Sequence, residues 1–139
     1  MQIVDLETGQ VDLEQLTGIF RVIPQEFDFI DENDIVRWYS NNNHRIFGRE
    51  ESSLNQHVLD VHPKHSANRI KKLLADMHSG NKTKVEMVIP AKGKQIQICF
   101  YAVYDHAGTY RGCIEVTQDV SHLVKQSRLG NLWKLITKH

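Results

Sequence analysis

Residues 83–119 carry the pattern that decides the fold: TKVEMVIPAKGKQIQICFYAVYDHAGTYRGCIEVTQD. Three stretches of strand length in this segment are rich in apolar and β-branched residues: 83–90, 95–105 and 109–119. The segments that separate them, Pro90 to Gly93 and Asp105 to Gly108, contain the residue types that favour tight turns. The pattern therefore predicts three consecutive antiparallel strands.

A helix is predicted directly before these strands, over residues 63–79. Five apolar residues recur there at helical spacing: Ala67, Ile70, Leu73, Leu74 and Met77. Pro63 suits the first helical position, and Gly80 suits the position just past the helix end. The spacing predicts one buried face on this helix.

Two more strands are predicted further upstream, over residues 27–31 and 35–40. Glu32, Asn33 and Asp34 lie between them and are typical of a hairpin turn. The stretches 41–48 and 52–61 that follow predict short turns rather than a long helix.

Both ends of the chain predict flanking helices. Residues 12–23 form an amphipathic pattern in which Asp12 and Gln15 resemble a capping box, and Pro24 ends the helix. Residues 120–136 form a weaker helical pattern that Gly130 interrupts.

This order of elements predicts an α+β fold: a five-stranded antiparallel sheet with helices on one face. The length of 139 residues fits a single domain over residues 1–139. We divide it into an N-terminal cap helix over residues 1–23, a core over residues 24–119 and a C-terminal helix over residues 120–139.

The composition excludes several classes of protein. Lys plus Arg and Asp plus Glu are both 17, so the net charge of zero gives no basic excess for nucleic-acid binding. Apolar runs fall short of the ~20 residues of a membrane span, and residues 1–9 lack the apolar core of a signal peptide. Two cysteines are too few for a disulfide scaffold. We expect a cytoplasmic protein without a membrane or nucleic-acid partner.

Six short motifs occur in the order in which they stand in the PAS sensory domain. They are Phe29 to Val36 (FIDENDIV), Arg45 to Gly48 (RIFG), Val58 to Pro63 (VLDVHP), Ser79-Gly80, Tyr104 to Gly112 (YDHAGTYRG) and Thr117 to Ser121 (TQDVS). Over about residues 24–125 the chain therefore resembles a PAS domain. The resemblance implies a sensory module, with a ligand cavity between the sheet and its helices.

A closer resemblance is to the C-terminal PAS module of bacterial proteins that also carry a hemerythrin-like domain. Four segments suit that branch: Leu6 to Gly9, Asp31 to Asp34, Arg45 to Phe47 and Glu115 to Asp119. Members of the branch often have a cysteine before the His-Pro pair, where this chain has Val61, so a thiolate role is not carried over. The resemblance implies a stand-alone sensor or a fragment of a longer protein.

Ten apolar residues are predicted to lie between the sheet and the helices: Trp38, Phe47, Leu54, Ile70, Leu74, Met87, Ile98, Phe100, Ile114 and Val116. Two interpretations of this set stay open, a plain core and the lining of a ligand cavity, because both have the same composition. His44 and Arg45 at the mouth of such a cavity could meet a carboxylate, although a solvated arginine is the simpler interpretation.

His62 is the candidate ligand for haem, which some PAS domains hold through a histidine in this region. The alternative, which we favour, is that His62 caps the helix that Pro63 opens, because no closed set of metal ligands converges with it. Flavin photochemistry is disfavoured, because the segment from Asn43 to Phe47 lacks the cysteine that the light-sensing branch uses.

Alternation in the strand 95–105 places Cys99 on its outer face, and Cys113 is predicted to point outward nearby. A redox switch between them is conceivable, but cross-strand disulfides are strained and two inert thiols are favoured. The basic residues Lys64, Arg69, Lys71 and Lys72 indicate a solvated helix face.

The sequence contains no nucleophile–base set and no glycine-rich phosphate loop, so we predict that the chain is not an enzyme. The leading hypothesis is a sensory module that binds a small molecule or cofactor and signals through dimer or partner contacts. The alternatives are a ligand-free dimerisation module and a haem-based gas or redox sensor. The apolar stripe of helix 12–23, together with Tyr101 and Val103 on the outer sheet face, predicts a homodimer, with helix 120–136 as a second candidate interface.

Overall fold

The computed structural model of the protein describes residues 1–43 and 45–137. Its strands are β1 (Ile3–Leu6), β2 (Gly9–Asp12), β3 (Glu26–Asp31), β4 (Val36–Tyr39), β5 (Lys84–Ala91), β6 (Lys94–Tyr104) and β7 (Tyr110–Asp119). Its α-helices are α1 (Leu13–Val22), α2 (Val58–Val61), α3 (Ala67–Ser79) and α4 (Ser121–Thr137), and 3-10 turns span Glu51–Ser53 and Lys64–Ser66.

Five strands form one antiparallel sheet in the order β4-β3-β7-β6-β5. The predicted α+β class and sheet are therefore confirmed. Helix α3 covers the inner face, where it buries Ile70, Leu73, Leu74 and Met77. Gly80 ends α3 with a φ of 78°, a left-handed conformation that suits glycine.

Two predicted details of the helix and turns are wrong. Pro63 precedes the 3-10 turn Lys64–Ser66, so α3 begins only at Ala67. Pro90 lies inside β5, opposite Gln95, and the turn consists of Lys92 and Gly93 with φ of 52° and 75°. A proline is tolerated there because β5 is an edge strand of the sheet, which does not use every backbone donor.

The N-terminus adds a hairpin that the sequence analysis missed. Strands β1 and β2 pair only with each other, outside the main sheet, and lead directly into α1. The predicted capping box is confirmed: the Gln15 amide donates to Asp12 Oδ1 over 2.8 Å, and Asp12 N donates to Gln15 Oε1 over 2.9 Å. Phe20 of α1 then packs edge-on against Phe27 and Trp38, with ring centroids 5.4 and 4.8 Å away.

The register of β6 and β7 fixes which side chains face the helices. Ile98 lies opposite Thr117, and Phe100 lies opposite Glu115, on the inner face. Tyr101 lies opposite Ile114, and Cys99 opposite Val116, on the outer face. The prediction that Ile114 and Val116 face the core is therefore wrong. Cys113 instead lies in the core, fully buried.

Trp38 is also on the outer face, because it pairs with Phe29, which lies opposite Ile114. The prediction that Trp38 lies between the sheet and the helices is therefore wrong. The Trp38 ring is instead covered on the outer side of the sheet, by Phe20 of α1.

Gly112 allows β3 to approach β7 closely at the end of the sheet. Its φ is 139°, and a Cβ atom at this position would stand 2.3 Å from the carbonyl oxygen of Ile30 and 2.8 Å from the Phe29 ring. Contacts that short do not occur in folded proteins, so the strands would have to separate.

We predict that Gly112→Ala destabilises the protein by at least about 3 kcal/mol, because it combines overpacking with backbone strain. The matched control is Gly48→Ala, since nothing lies within 4 Å of a Cβ atom built at Gly48. Urea denaturation measures both variants. A loss at Gly112 no larger than the loss at Gly48 would contradict the described register.

Candidate functional site

A cavity of about 800 Å³ lies between the inner sheet face and the α2–α3 segment. Its apolar wall comprises Ile30, Val36, Phe47, Val58, Ile70, Leu73, Met87, Ile89, Ile98 and Phe100. Its polar end is formed by Asp28, Arg49 and Glu115, and its helical side by His62, His65, Ser66 and Arg69. The cavity is of the size that small organic ligands fill in proteins.

Five of the predicted cavity residues border this space: Phe47, Ile70, Met87, Ile98 and Phe100. Leu54 and Leu74 pack in the adjoining core and do not line the cavity. Trp38, Ile114 and Val116 lie on the opposite face of the sheet. His44 falls outside the described residues.

Arg45 is buried inside the protein and is not at the mouth of the cavity. Its side chain is 7% exposed and donates two hydrogen bonds to the Asp28 carboxylate, over 2.9 and 2.8 Å. Its remaining donors reach the carbonyl oxygens of Ser40 and Phe47 over 2.7 and 3.1 Å. The favoured interpretation of Arg45 as a solvated arginine is therefore wrong, and the carboxylate that it meets belongs to the chain's own strand β3.

Glu26, two residues before Asp28 on the same face of β3, holds the same segment from the other side. Its carboxylate accepts hydrogen bonds from the amides of Ile46 and Phe47 over 2.9 and 3.1 Å. The segment around Arg45 has no helix or strand of its own. These side chains therefore supply the partners that regular structure would otherwise supply to its backbone.

Arg49 connects Asp28 with Glu115. Its Nε donates to Asp28 Oδ1 over 2.9 Å, while its Nη2 stands 4.0 Å from Glu115 Oε1. Among the described residues, none donates a hydrogen bond to the Glu115 carboxyl group, which is 18% exposed.

Burial raises the pKa of Glu115 to about 7, and the nearby Asp28 carboxylate contributes to the rise. The network contains the carboxyl groups of Glu26, Asp28 and Glu115 but only the guanidinium groups of Arg45 and Arg49. One carboxyl group is thus left without a full countercharge, and Glu115, which accepts no hydrogen bond, is the one that takes up a proton.

His62 has a structural role different from the predicted one. It is the C-cap of α2, where its backbone amide donates to Val58, and its ring Nδ1 lies 2.9 Å from Ser66 Oγ. The residue that caps the N-terminus of α2 is His57, whose Nδ1 accepts from the Leu59 amide. Burial lowers the pKa of His62, and the charge of Arg49 lowers it further, so the ring is neutral at pH 7.

No group of three or more metal-ligating side chains converges within the described part of the chain. The disfavoured alternative of a haem ligand at His62 stays untested. Likewise, no helix among the described residues is long and apolar enough to cross a membrane.

Cys99 and Cys113 are both buried, but on opposite faces of the sheet. Cys113 lies opposite Ala102 on the inner face, where burial raises the pKa of its thiol to about 12. The prediction that the two thiols lie near each other is wrong. The error follows from the prediction that Ile114 faces inward, which assigns every side chain of β7 to the wrong face of the sheet.

The same error hid Glu115, and the positions of Asp28 and Arg49 at the site were not predicted either. A signal for them was present: Glu26 and Asp28 alternate on one face of a strand, and Arg45 and Arg49 follow closely. Charged residues at alternate positions of a buried strand require buried partners.

We predict that Glu115→Gln changes the pH dependence of stability. Between pH 4.5 and about 7 the folded protein holds a proton on Glu115 that the unfolded chain has lost, so the wild-type free energy of unfolding falls as pH rises. Over this interval the loss amounts to about 3 kcal/mol. The glutamine variant should gain that amount relative to wild type between pH 4 and pH 8, as measured by denaturation at each pH.

The control is Glu50→Gln, because Glu50 also borders the cavity but is exposed. Its stability should follow the wild-type curve. A constant difference between Glu115→Gln and wild type across the pH range would show that Glu115 keeps an ordinary pKa.

A sequence profile described as a PAS domain matches residues 16–121. A search of curated proteins gives no match. Among solved structures, the C-terminal domain of a protein from Streptococcus mutans shares 25% sequence identity, with a TM-score of 0.84 over 90% of this chain and 97% of that chain.

Two further structures share the fold at lower identity. The PAS domain from Bordetella pertussis BvgS is 14% identical, with a TM-score of 0.60 over 88% of this chain and 96% of that one. The phage VqmA–DPO complex is also 14% identical, with a TM-score of 0.63 over 88% of this chain and 59% of that one. Because the profile spans the complete five-stranded sheet and the helices over its inner face, the chain belongs to the PAS domain family.

Proposed function

We propose that this protein is a sensory module that binds a small molecule in the cavity between the sheet and α3. The observation that carries the proposal is the cavity itself, about 800 Å³ in volume, with apolar walls and one polar end. Ligand sites typically combine a largely apolar lining with a few polar groups that orient the ligand. Asp28, Arg49 and Glu115 are such groups.

Strand β7 gives the cavity a direct route to the C-terminal helix. Glu115 borders the cavity, and four residues later Asp119 Oδ1 accepts a hydrogen bond from the amide of Ser121, the first residue of α4. Ser121 Oγ in turn accepts from the amide of Gln95 on β6. We propose that a ligand-induced change at Glu115 alters how α4 leaves the sheet.

The relatives support a sensory role. The solved structures that share the fold include a sensory box sensor histidine kinase from Vibrio cholerae. We propose that the chain is a PAS module of the kind found at the C-terminal end of proteins with a hemerythrin-like domain, and the Streptococcus mutans match is itself a C-terminal domain. We propose a cytoplasmic binding module without catalytic activity of its own.

We also propose that the module works as a homodimer. Helix α1 has no buried residue, and Leu13, Ile19 and Val22 on it are exposed. Phe20 attaches the helix to the outer sheet face, where Tyr101 is exposed as well. A second copy would cover these apolar residues, and the two-fold dimer is the commonest closed assembly. The alternative is a monomer in which α1 covers only its own sheet.

Native mass spectrometry of the purified 139-residue chain tests the ligand proposal. We expect an additional mass on the wild-type protein, which Ile98→Trp should remove because it fills the cavity. Val103→Trp is the matched control on the same strand, since Val103 faces outward opposite Gly112. A wild-type protein that carries no additional mass would favour the ligand-free dimerisation module instead.

Sedimentation tests the dimer. The wild-type chain should sediment as a dimer at micromolar concentration, and Val22→Glu should shift it to monomer because Val22 is 78% exposed on the proposed interface. Leu129→Glu places the same charge on α4, the second candidate interface, where Leu129 is also exposed. A wild-type monomer would contradict the proposal, and dissociation by Leu129→Glu alone would move the interface to α4.

A further inference from the structure

At the polar end of the cavity, carboxyl groups outnumber guanidinium groups by three to two. Arg45 is fully engaged by the bidentate pair with Asp28 and by two backbone carbonyl groups. Arg49 makes its shortest contact with the same Asp28 carboxylate, over 2.9 Å. Glu115 is left with one guanidinium nitrogen at 4.0 Å.

The other walls of the cavity do not supply the missing positive charge. Phe100 faces Glu115 from β6, and Met87 and Ile98 continue the apolar surface from β5 and β6. On the helical side His62 is neutral at pH 7, because burial lowers its pKa. His65 and Arg69 are exposed at the rim of the cavity, where water screens the charge of Arg69.

We infer that the cavity binds a small organic cation, an apolar body with a protonated amine head that pairs with the Glu115 carboxylate. This inference rests on the proposed ligand-binding function and specifies its chemistry. With Glu26, Asp28 and Glu115 ionised, two guanidinium groups and one ammonium group balance three carboxylates. The apolar wall then receives the body of the ligand.

The exchange is balanced. The free protein holds the proton on Glu115, and the ammonium ion enters with its own charge. Glu115 releases its proton to solvent and becomes the carboxylate partner of the ammonium group, so that one proton leaves for each amine bound. A ligand carboxylate would instead add a fourth negative group to the same network, which low dielectric surroundings oppose.

A matched series of three probes tests the head group: 4-phenylbutylamine, 4-phenylbutanol and 4-phenylbutanoate. Isothermal titration calorimetry of the 139-residue protein is run from pH 5.5 to pH 7.5 in two buffers that differ in ionisation enthalpy. The amine should bind tightest, with release of about one proton below pH 7. Its affinity should rise roughly tenfold per pH unit well below the pKa of Glu115 and level off above it.

Two variants locate the effect. Glu115→Gln keeps the shape of the neutral side chain but cannot ionise, so amine affinity should fall roughly tenfold or more and lose its pH dependence. Glu50→Gln, the exposed carboxyl group at the same cavity, should change amine affinity less than about threefold, because solvent screens exposed charges. Circular dichroism confirms that both variants are folded.

The alcohol or the carboxylate binding as tightly as the amine would overturn the cation inference and leave the ligand-binding function standing. An unchanged amine affinity in Glu115→Gln would do the same. Absence of binding by the amine also overturns the inference. The function itself is judged by the bound mass in native mass spectrometry, so the two failures are distinguishable.

Discussion

The buried ion pair between Asp28 and Arg45 is the interaction on which the cavity depends. The segment that follows β4 has no regular structure, and it must nevertheless cross the inner edge of the sheet. Arg45 holds it by binding a strand carboxylate and two carbonyl groups of the segment at once. Glu26 holds the amides of Ile46 and Phe47. Phe47 is thereby placed as a wall of the cavity.

The free-energy cost of burying these charged groups explains the rest of the polar end of the cavity. A buried ion pair repays the loss of hydration only where its geometry is good and its remaining polar atoms are satisfied. Asp28 meets that condition with two arginines. The second arginine, Arg49, extends the network toward Glu115 without completing it. The carboxyl group that is left, on Glu115, holds its proton to about pH 7 and borders the cavity between the sheet and α3.

Local chemistry made much of the fold predictable from the sequence. The capping box at Asp12, the glycine after α3 and the turn at Asp105 each depend on contacts within a few residues. In that turn Asp105 Oδ1 accepts from the amides of Ala107 and Thr109 over 3.0 and 2.9 Å. The hairpin β1–β2 escaped prediction because its residues are largely exposed and show no apolar face.

The candidate site was harder to predict because it depends on long-range register. Strand β7 places Ile114 and Val116 on the outer face, beside Phe29 and Phe27 of β3. Apolar periodicity alone therefore assigns these two residues to the wrong face. The outer face is apolar because the aromatic residues of β3 and β4, together with α1, cover part of it. Only the pairing with β6 decides which face each side chain of β7 occupies, and the local sequence of β7 does not reveal that pairing. Five of the predicted lining residues nevertheless border the cavity.

The inner face of β7 is more polar than stability requires. It presents Cys113, Glu115 and Thr117 to the core, and the Thr117 hydroxyl is buried without a hydrogen-bond partner among the described residues. A buried unpaired hydroxyl and a buried carboxyl group each cost free energy that an apolar residue would not. Natural chains depart from the most stable choice mainly at functional sites. That the departure falls on the one strand that both borders the cavity and continues into α4 is a physical reason to locate signal transmission there.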